Sequence, residues 1–500
     1  MVLNRHVLML DQTKTPILSA LKASGSRPHA PFYAPGHKLG KGAAASLRDL
    51  MGLEALKMDL PELPELDNLF APAGVIHASQ DLAAEAFGAD HTYFLANGST
   101  CGIEAAILAT CGPGDKIIVP RNAHRSVIAG LVLAGAMPVF VEPEYSPELG
   151  LALGISSDAI ATALRHHPES RAVLLVSPTY HGICSDLTTI ADRVHAHNIP
   201  LLVDEAHGAH FAFHPHLPET ALNQGADLVV QSTHKVLGAL SQASMLHTQG
   251  NRINSSRLQA ALQLTQSTSP SYLLLASLDA ARQQMATAGQ QFLAKTLELS
   301  REMRSGLSPL TPVTAISPED VSSYASVKEL DLTRLTVDVS GLGMTGLEAD
   351  EILHGEHGVT AELPELRHLT FIISLGNTPA DGERFLESFK YLRASWVQAG
   401  AADPSTLQRL FRAEPPPFSQ PQVSPRDAFF AETEVLPAKV VLGRLSAETI
   451  SPYPPGIPAI VAGEAITAAA LDQLKTVHQQ GGYLTGCSDL SLETLKVLNL

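Results

Sequence analysis

The sequence predicts an α/β protein built on a mainly parallel sheet, with a smaller α/β unit following it. Two observations carry this. Between residues 90 and 250, short runs of aliphatic and β-branched residues alternate with helix-like stretches, which is the pattern of strand–helix–strand units. Several of these runs are almost wholly apolar, as expected of strands covered by helices on both faces. A chain of 500 residues, 45% hydrophobic and 17% charged, has material for a large core and more than one domain.

Taken in order, the expected strands are Thr92–Leu95, Lys116–Val119, Met137–Val141, Ala172–Val176, Leu201–Val203 and Leu228–Gln231. Helix-like stretches between them include Ile103–Thr110 and Asp186–His197. A long helix is expected from Tyr272 to about Leu307, and the pattern changes around Pro309–Pro318. From Arg334 to about Gln398 a smaller α/β unit follows, with LTVDVS and LTFIIS as its strands. Residues 401–425 are proline-rich and read as a linker over the surface. The last segment, Arg426 to Leu500, carries four prolines between Pro452 and Pro458, which exclude regular helix there. The expected division is therefore 1–310 (an N-terminal segment and the large domain), 311–400, 401–425 and 426–500.

Charge narrows the function classes. There are 34 Lys and Arg against 50 Asp and Glu, a net charge of −16, with no basic block, which argues against nucleic-acid binding. No apolar stretch reaches the roughly twenty residues that span a bilayer. MVLNRHVLML is followed at once by DQTKT, unlike a signal peptide, so a cytoplasmic protein is expected. Cys101, Cys111, Cys184 and Cys487 form no CxxC pair, giving neither a zinc signature nor a disulfide framework. They read as idle thiols in a reducing compartment.

Ligands of parallel sheets bind at the carboxyl ends of the strands, so the loops there are where chemistry is expected. In ANGSTCG, Gly98 allows close backbone approach, and Ser99 and Thr100 offer hydroxyls and cap a helix whose N-terminal amides suit a phosphate. PRNAHRSV places His124 between a strand and a helix, and SPTYHG follows another strand. In LLVDEAHGAH, Asp204 ends a buried strand, where a carboxylate is costly unless it meets a cation. QSTHK brings Lys235 about thirty residues later. Singly, each has an ordinary explanation: a helix cap, a solvated histidine, a turn, a salt bridge, an exposed lysine. Together, and in this order, they are the parts that pyridoxal 5′-phosphate needs. Lys235 would form the Schiff base, Asp204 would keep the pyridine nitrogen protonated, and His124 would cover one ring face. Ser232 and His234 would reach back toward the phosphate.

The chain resembles the Orn/Lys/Arg decarboxylases, a branch of the pyridoxal-phosphate fold type I (aspartate aminotransferase) superfamily. The motifs that carry the likeness are APGHKLG (34–40), LDNLFAPAGVI (66–76), AAEAFGADHTYFLANGST (83–100), GPGDKIIVPRNAHRS (112–126), LLVDEAHGAH, STHK, STSPSYLLLASLD (267–279), SPRDAFFAETE (424–434) and GRLSAETISPYPPGIPAIVAGE (443–464). They run in order along almost the whole chain, and the likeness is greatest to the shorter bacterial arginine decarboxylases.

The resemblance implies an α/β/α large domain, a small α/β domain and a C-terminal decarboxylase domain. It implies a homodimer or larger homo-oligomer with the site at the dimer interface. By this likeness Ser99, Thr100, Ser232 and His234 bind phosphate, with Gly98 beside them, and His124 stacks on the ring. Asp204 pairs with the ring nitrogen, His207 sits beside the cofactor, and Thr268 and Ser269 reach the partner's phosphate. Asp67 and Glu464 are candidates to meet a cationic substrate side chain. Whether the Cys101 thiol touches the cofactor is left open. The large acid-induced members carry a receiver-like domain for which there is no room before APGHKLG, which favours a role in polyamine synthesis. The expected reaction is decarboxylation of L-arginine to agmatine, with His207 or Lys235 returning a proton to Cα. Lysine or ornithine as substrate, an aminotransferase, and a non-catalytic binding protein are the alternatives.

Overall fold

The computed structural model describes residues 9–398, 418–453, 457–479 and 482–499. Most of the proline-rich stretch 401–425, and part of the Pro452–Pro458 cluster, lie outside them.

A seven-stranded sheet organises the large domain. Its strand order is His91–Leu95, Ser244–Thr248, Leu228–Gln231, Leu201–Asp204, Ala172–Val176, Lys116–Pro120, Met137–Val141. From Leu228–Gln231 to Met137–Val141 the neighbours are parallel. The apolar runs named from sequence are these strands, and their residues are buried because helices cover both faces. Ser244–Thr248 is an addition. It runs antiparallel to both its neighbours and was not evident from sequence. Its SMLHT sequence buries a serine and a histidine, and the histidine finds its partners inside the sheet. His247 Nδ1 accepts from Thr92 Oγ1 at 2.8 Å, and Nε2 donates to Gln231 Oε1 at 3.1 Å.

The helix expected from Ile103 begins five residues earlier and spans Gly98–Thr110, with Asn97 at the cap position. Ser99 and Thr100 therefore lie in its first turn instead of capping it. Gly98 has φ +77°, a backbone conformation that favours glycine, while a Cβ there would meet only Gln242 Cγ at 4.0 Å. Its backbone angle, not crowding by the protein, demands the residue. Gly102 is the crowded one: a Cβ would lie 2.7 Å from Leu95 Cδ1 and 2.8 Å from Val230 Cγ1, so the helix sits close on the sheet.

The long helix spans Tyr272–Leu307 and links the large domain to the smaller unit. It also holds the N-terminal segment. Asp279 accepts from the Ile17 amide at 3.0 Å, at the start of helix Pro16–Ser26. Arg282, fully buried, donates to Asp279 at 2.7 Å and to the Gln12 carbonyl at 2.8 Å.

The smaller unit is an antiparallel sheet, in the order Thr314–Ala315, Arg334–Asp338, His368–Ile372, Leu363–Pro364. Helix Pro379–Gln398 packs on it through Phe385 and Phe389. In the C-terminal segment, Thr433–Pro437 pairs with Thr494–Leu498, and Ser451–Tyr453 pairs with Tyr483–Thr485. Helix Ala468–Gln479 covers a separate small core around Ile450 and Leu474.

Candidate active site

The carboxyl ends of the parallel strands converge on a cavity of ≈ 130 Å³. Among its lining residues are Ser99, His124, Asp204, His207 and Lys235. These come from four different loops. They meet because Asp204 lies level with Val176 and Val230 in the sheet register, and Lys235 follows Gln231 by one turn.

Lys235 Nζ lies 3.0 Å from His207 Nε2 and 5.5 Å from the centre of the Tyr180 ring. Burial lowers the lysine pKa, the nearby Asp204 carboxylate opposes that, and Arg334 adds to it. Asp204 is 6% exposed, and its carboxyl accepts from the Ala206 amide at 3.1 Å. Burial raises its pKa and the Lys235 ammonium lowers it. A strand-end acid in this position stays ionised only through a cation held against it.

His124 is the N-cap of helix Arg125–Ala134, and its Nδ1 accepts from the Ser126 amide at 3.2 Å. That bond fixes the ring. Burial, then Lys235 and Arg125, push its pKa down to about 4, so the imidazole is neutral at ordinary pH. His207 is likewise held well below the usual histidine range, by burial first and Lys235 next. Its ring packs on Tyr180 at 4.6 Å between centres, and its backbone carbonyl accepts from Arg334 Nη2 at 3.2 Å. Ser232 is fully buried and donates to Ser99 Oγ at 2.7 Å, joining two of the hydroxyls expected at the phosphate.

Other expected residues lie elsewhere in the protomer. Thr100 is exposed, and His234 turns Nδ1 to the Ala243 carbonyl at 3.0 Å; neither lines the cavity. Thr268 and Ser269 sit on an exposed loop before helix Tyr272–Leu307. The Cys101 thiol points to the Gly98 carbonyl at 3.0 Å, away from the lining, and burial raises its pKa to about 12.

The two acids named for a cationic side chain have other partners within the protomer. Asp67 does not line the cavity. Its carboxylate accepts from the amides of Asn68, Ala73, Gly74 and Ile76, closing the loop ahead of helix Val75–Phe87. Glu464 does not line it either, because Arg121 takes its charge: Nη2 to Oε2 is 2.9 Å. The Arg121 guanidinium also lies 5.0 Å and 5.1 Å from the ring centres of Phe140 and Phe418. This pair stands beside a second, larger cavity of ≈ 380 Å³ that shares Asn122, Ala152 and Ile457 with the first. Sequence reasoning assigned no role to Tyr180, His181 or Glu365, all in the inner lining, nor to Arg334 behind it. For the first two the signal was present, since SPTYHG follows a buried strand. For Glu365 there was none.

A cavity with a buried lysine, an acid at a strand end and a neutral histidine defines an enzyme site of the α/β type. Residues 15–381 match the Orn/Lys/Arg decarboxylase major domain, and residues 404–487 match the C-terminal domain of the same family. The chain belongs to the Orn/Lys/Arg decarboxylase family. It is 38% identical to an arginine decarboxylase of Bacillus subtilis over 98% of this chain and 99% of that one. It is 37% identical to an arginine decarboxylase of Bacillus anthracis, covering 98% of each. A lysine decarboxylase of Pseudomonas aeruginosa, LdcA, is 26% identical over 91% of this chain and 74% of its own. Among solved structures, the Francisella novicida lysine decarboxylase LdcF superposes with a TM-score of 0.84 over 97% of this chain and 81% of that one, at 22% identity. That likeness bears on the fold alone, and the fold is the expected α/β architecture. No helix among the described residues is long and apolar enough to cross a membrane.

Proposed function

We propose that the protein is a pyridoxal-phosphate-dependent decarboxylase that converts L-arginine to agmatine and CO₂ in polyamine synthesis. The near full-length identity of 37–38% to proteins named arginine decarboxylase carries the choice of substrate. Lysine is the second reading, favoured by the Pseudomonas relative at lower identity.

The donor set in the cavity suits the cofactor. Asp204 is a buried carboxyl with one amide partner, ready for a pyridinium N–H. Ser99 and Ser232 supply hydroxyls near the N-terminus of helix Gly98–Thr110, where backbone amides favour a phosphate. The bound cofactor would supply an electron sink for the carbanion left by CO₂ loss.

The chain's own residues do the rest. Asp204 would pair with the cofactor's ring nitrogen and favour its protonated form. His124, neutral and fixed by Ser126, offers a flat uncharged face. Lys235 would anchor the cofactor, and its amine, 3.0 Å from His207 Nε2, is placed to give or take a proton. His207, hydrogen-bonded to that amine, holds it in place and accepts or returns the proton. Enclosure of the site strengthens each of these interactions. The reading makes this a cytoplasmic enzyme and a homodimer whose partner contributes the Thr268–Ser269 loop.

The test is amine formation by purified, cofactor-loaded protein supplied with arginine, lysine and ornithine side by side. Agmatine should dominate, and Lys235→Ala should form none. Dominant cadaverine or putrescine would move the substrate assignment to lysine or ornithine. Wild-type turnover by Lys235→Ala would overturn the mechanism.

A further inference from the structure

We propose that Glu365 is the residue that reads the cationic head group of the substrate. The inference rests on the reading of the protein as a decarboxylase of basic amino acids.

Glu365 enters the inner cavity from the smaller domain, in the turn between strands Leu363–Pro364 and His368–Ile372. Its place is rigid. Its amide donates to the His368 carbonyl at 2.8 Å, and the Gly346 amide donates to the next carbonyl, that of Leu366, at 3.1 Å. A Cβ on Gly346 would stand 2.4 Å from the Glu365 carbonyl oxygen, so the turn is pressed against the start of helix Gly346–Ile352.

The side chain is 19% exposed, and Oε2 is buried without a hydrogen-bond partner among the described residues. His181 Nε2 lies 3.4 Å from it without making a hydrogen bond. Among the described residues, no lysine or arginine forms an ion pair with it. Arg367 is committed to Asp338 through Nε and Nη2, each at 2.7 Å. His181 and His368 are buried and held neutral, down to about 3 and about 4. Lys235 already has Asp204 and His207. Burial accordingly raises the Glu365 pKa to about 7.

A buried carboxyl with an idle oxygen is costly unless something pairs with it. For three other carboxyls the partner is built in: backbone amides for Asp67, Arg121 for Glu464, Lys235 and an amide for Asp204. Glu365 is the acid in the inner cavity lining that lacks one among the described residues. A guanidinium or ammonium group arriving with the substrate supplies it. The planar fork of a guanidinium suits the two oxygens of one carboxylate. Being on the smaller domain, Glu365 also sets the head group against a different wall from Asp204 and Lys235, which belong to the sheet.

The experiment uses the full, cofactor-loaded chain as wild type, Glu365→Gln and Glu365→Asp. Decarboxylation of arginine is compared with that of citrulline, whose ureido group has the same shape without the charge. Binding of agmatine is measured separately by calorimetry, and the visible absorbance of the bound cofactor reports an intact site. Glu365→Gln should lower kcat/KM for arginine by about 30-fold or more, chiefly through KM, the scale of losing one partner of a buried charge pair. Citrulline should change less than about threefold on the same argument. Agmatine binding should weaken in parallel, and Glu365→Asp should recover part of both. An unchanged arginine-to-citrulline ratio, or an equal fall in kcat for both, overturns the assignment. So does unaltered agmatine binding in Glu365→Asp, should the Gln variant fail to hold cofactor. Wild type that decarboxylates no basic amino acid sinks the function reading itself, a different result from any variant effect.

Discussion

Lys235 Nζ and His207 Nε2 lie 3.0 Å apart, and burial pushes both groups toward their uncharged forms. The amine and Nε2 share a hydrogen bond, and His207 Nδ1 has no partner among the described residues. The pair is therefore a lysine held by a neutral base. His207→Ala should keep the fold, since the Arg334 contact to the backbone carbonyl remains. Its kcat should fall by about 100-fold, the usual scale for one acid–base group. Turnover within a few-fold of wild type would remove His207 from proton handling.

Asp204→Asn keeps the shape and the Ala206 contact but removes the charge. Decarboxylation should fall by about 10²–10³-fold, as when a preorganised electrostatic partner is lost. The cofactor-free variant should be no less stable than wild type, because desolvation penalises the carboxylate in the folded protein. Thermal unfolding of both cofactor-free proteins at pH 8 checks this. A clear loss of stability in the variant would show that Asp204 has a structural partner beyond Lys235.

The buried His247 links pH to stability. It sits between Thr92 and Gln231 as a neutral ring, and burial pushes its pKa down to about 3 from 6.5. The unfolded chain takes up a proton below pH 6.5, while the folded chain does not until about pH 3. Stability from this group is thus complete above pH 6.5 and falls as pH drops toward 3, by up to about 1.4 kcal/mol per pH unit. Urea midpoints of the cofactor-free protein at pH 7 and pH 5 should show a smaller drop in His247→Gln than in wild type. Equal drops would place the acid sensitivity in other histidines.

The sheet was legible because its parallel strands are covered on both faces and so read as plain apolar runs. Ser244–Thr248 was hidden because it buries polar side chains, among them His247, whose partners Thr92 and Gln231 sit on neighbouring strands. The start of helix Gly98–Thr110 was hidden because GSTCG has poor helix propensity and is held there by packing on Leu95 and Val230. Lys235, Asp204 and His124 stood out because each follows a strand at the same sheet edge. Tyr180 lay in a loop already singled out, but its contact with His207 is tertiary. Glu365 reaches the cavity across more than a hundred residues of chain, from a turn with no motif. Asp67 and Glu464 show the converse: an acid in a distinctive motif does not reveal that amides or an arginine already hold it within the protomer.

Arg121 and Glu464 join the large domain to the C-terminal segment, and Gln420 does the same by bonding the backbone of Phe140 at both N and O. The ion pair is 11% and 3% exposed, so it is well out of water. Burial raises the Glu464 pKa to about 7, and Arg121 pulls it back. Removing either partner leaves the other stranded, which for a buried pair costs about 3–5 kcal/mol. Arg121→Met should lower the unfolding midpoint more at pH 8 than at pH 6, because without Arg121 the buried Glu464 carboxyl rises above about 7 and keeping its proton costs more as pH rises. Arg121→Met with Glu464→Gln should recover much of the loss, because both charges are then gone and the two changes are not additive. Additive losses, or a midpoint shift in Arg121→Met that does not change with pH, would mean that the stacking of Arg121 between Phe140 and Phe418 outweighs its charge in holding the C-terminal segment to the large domain.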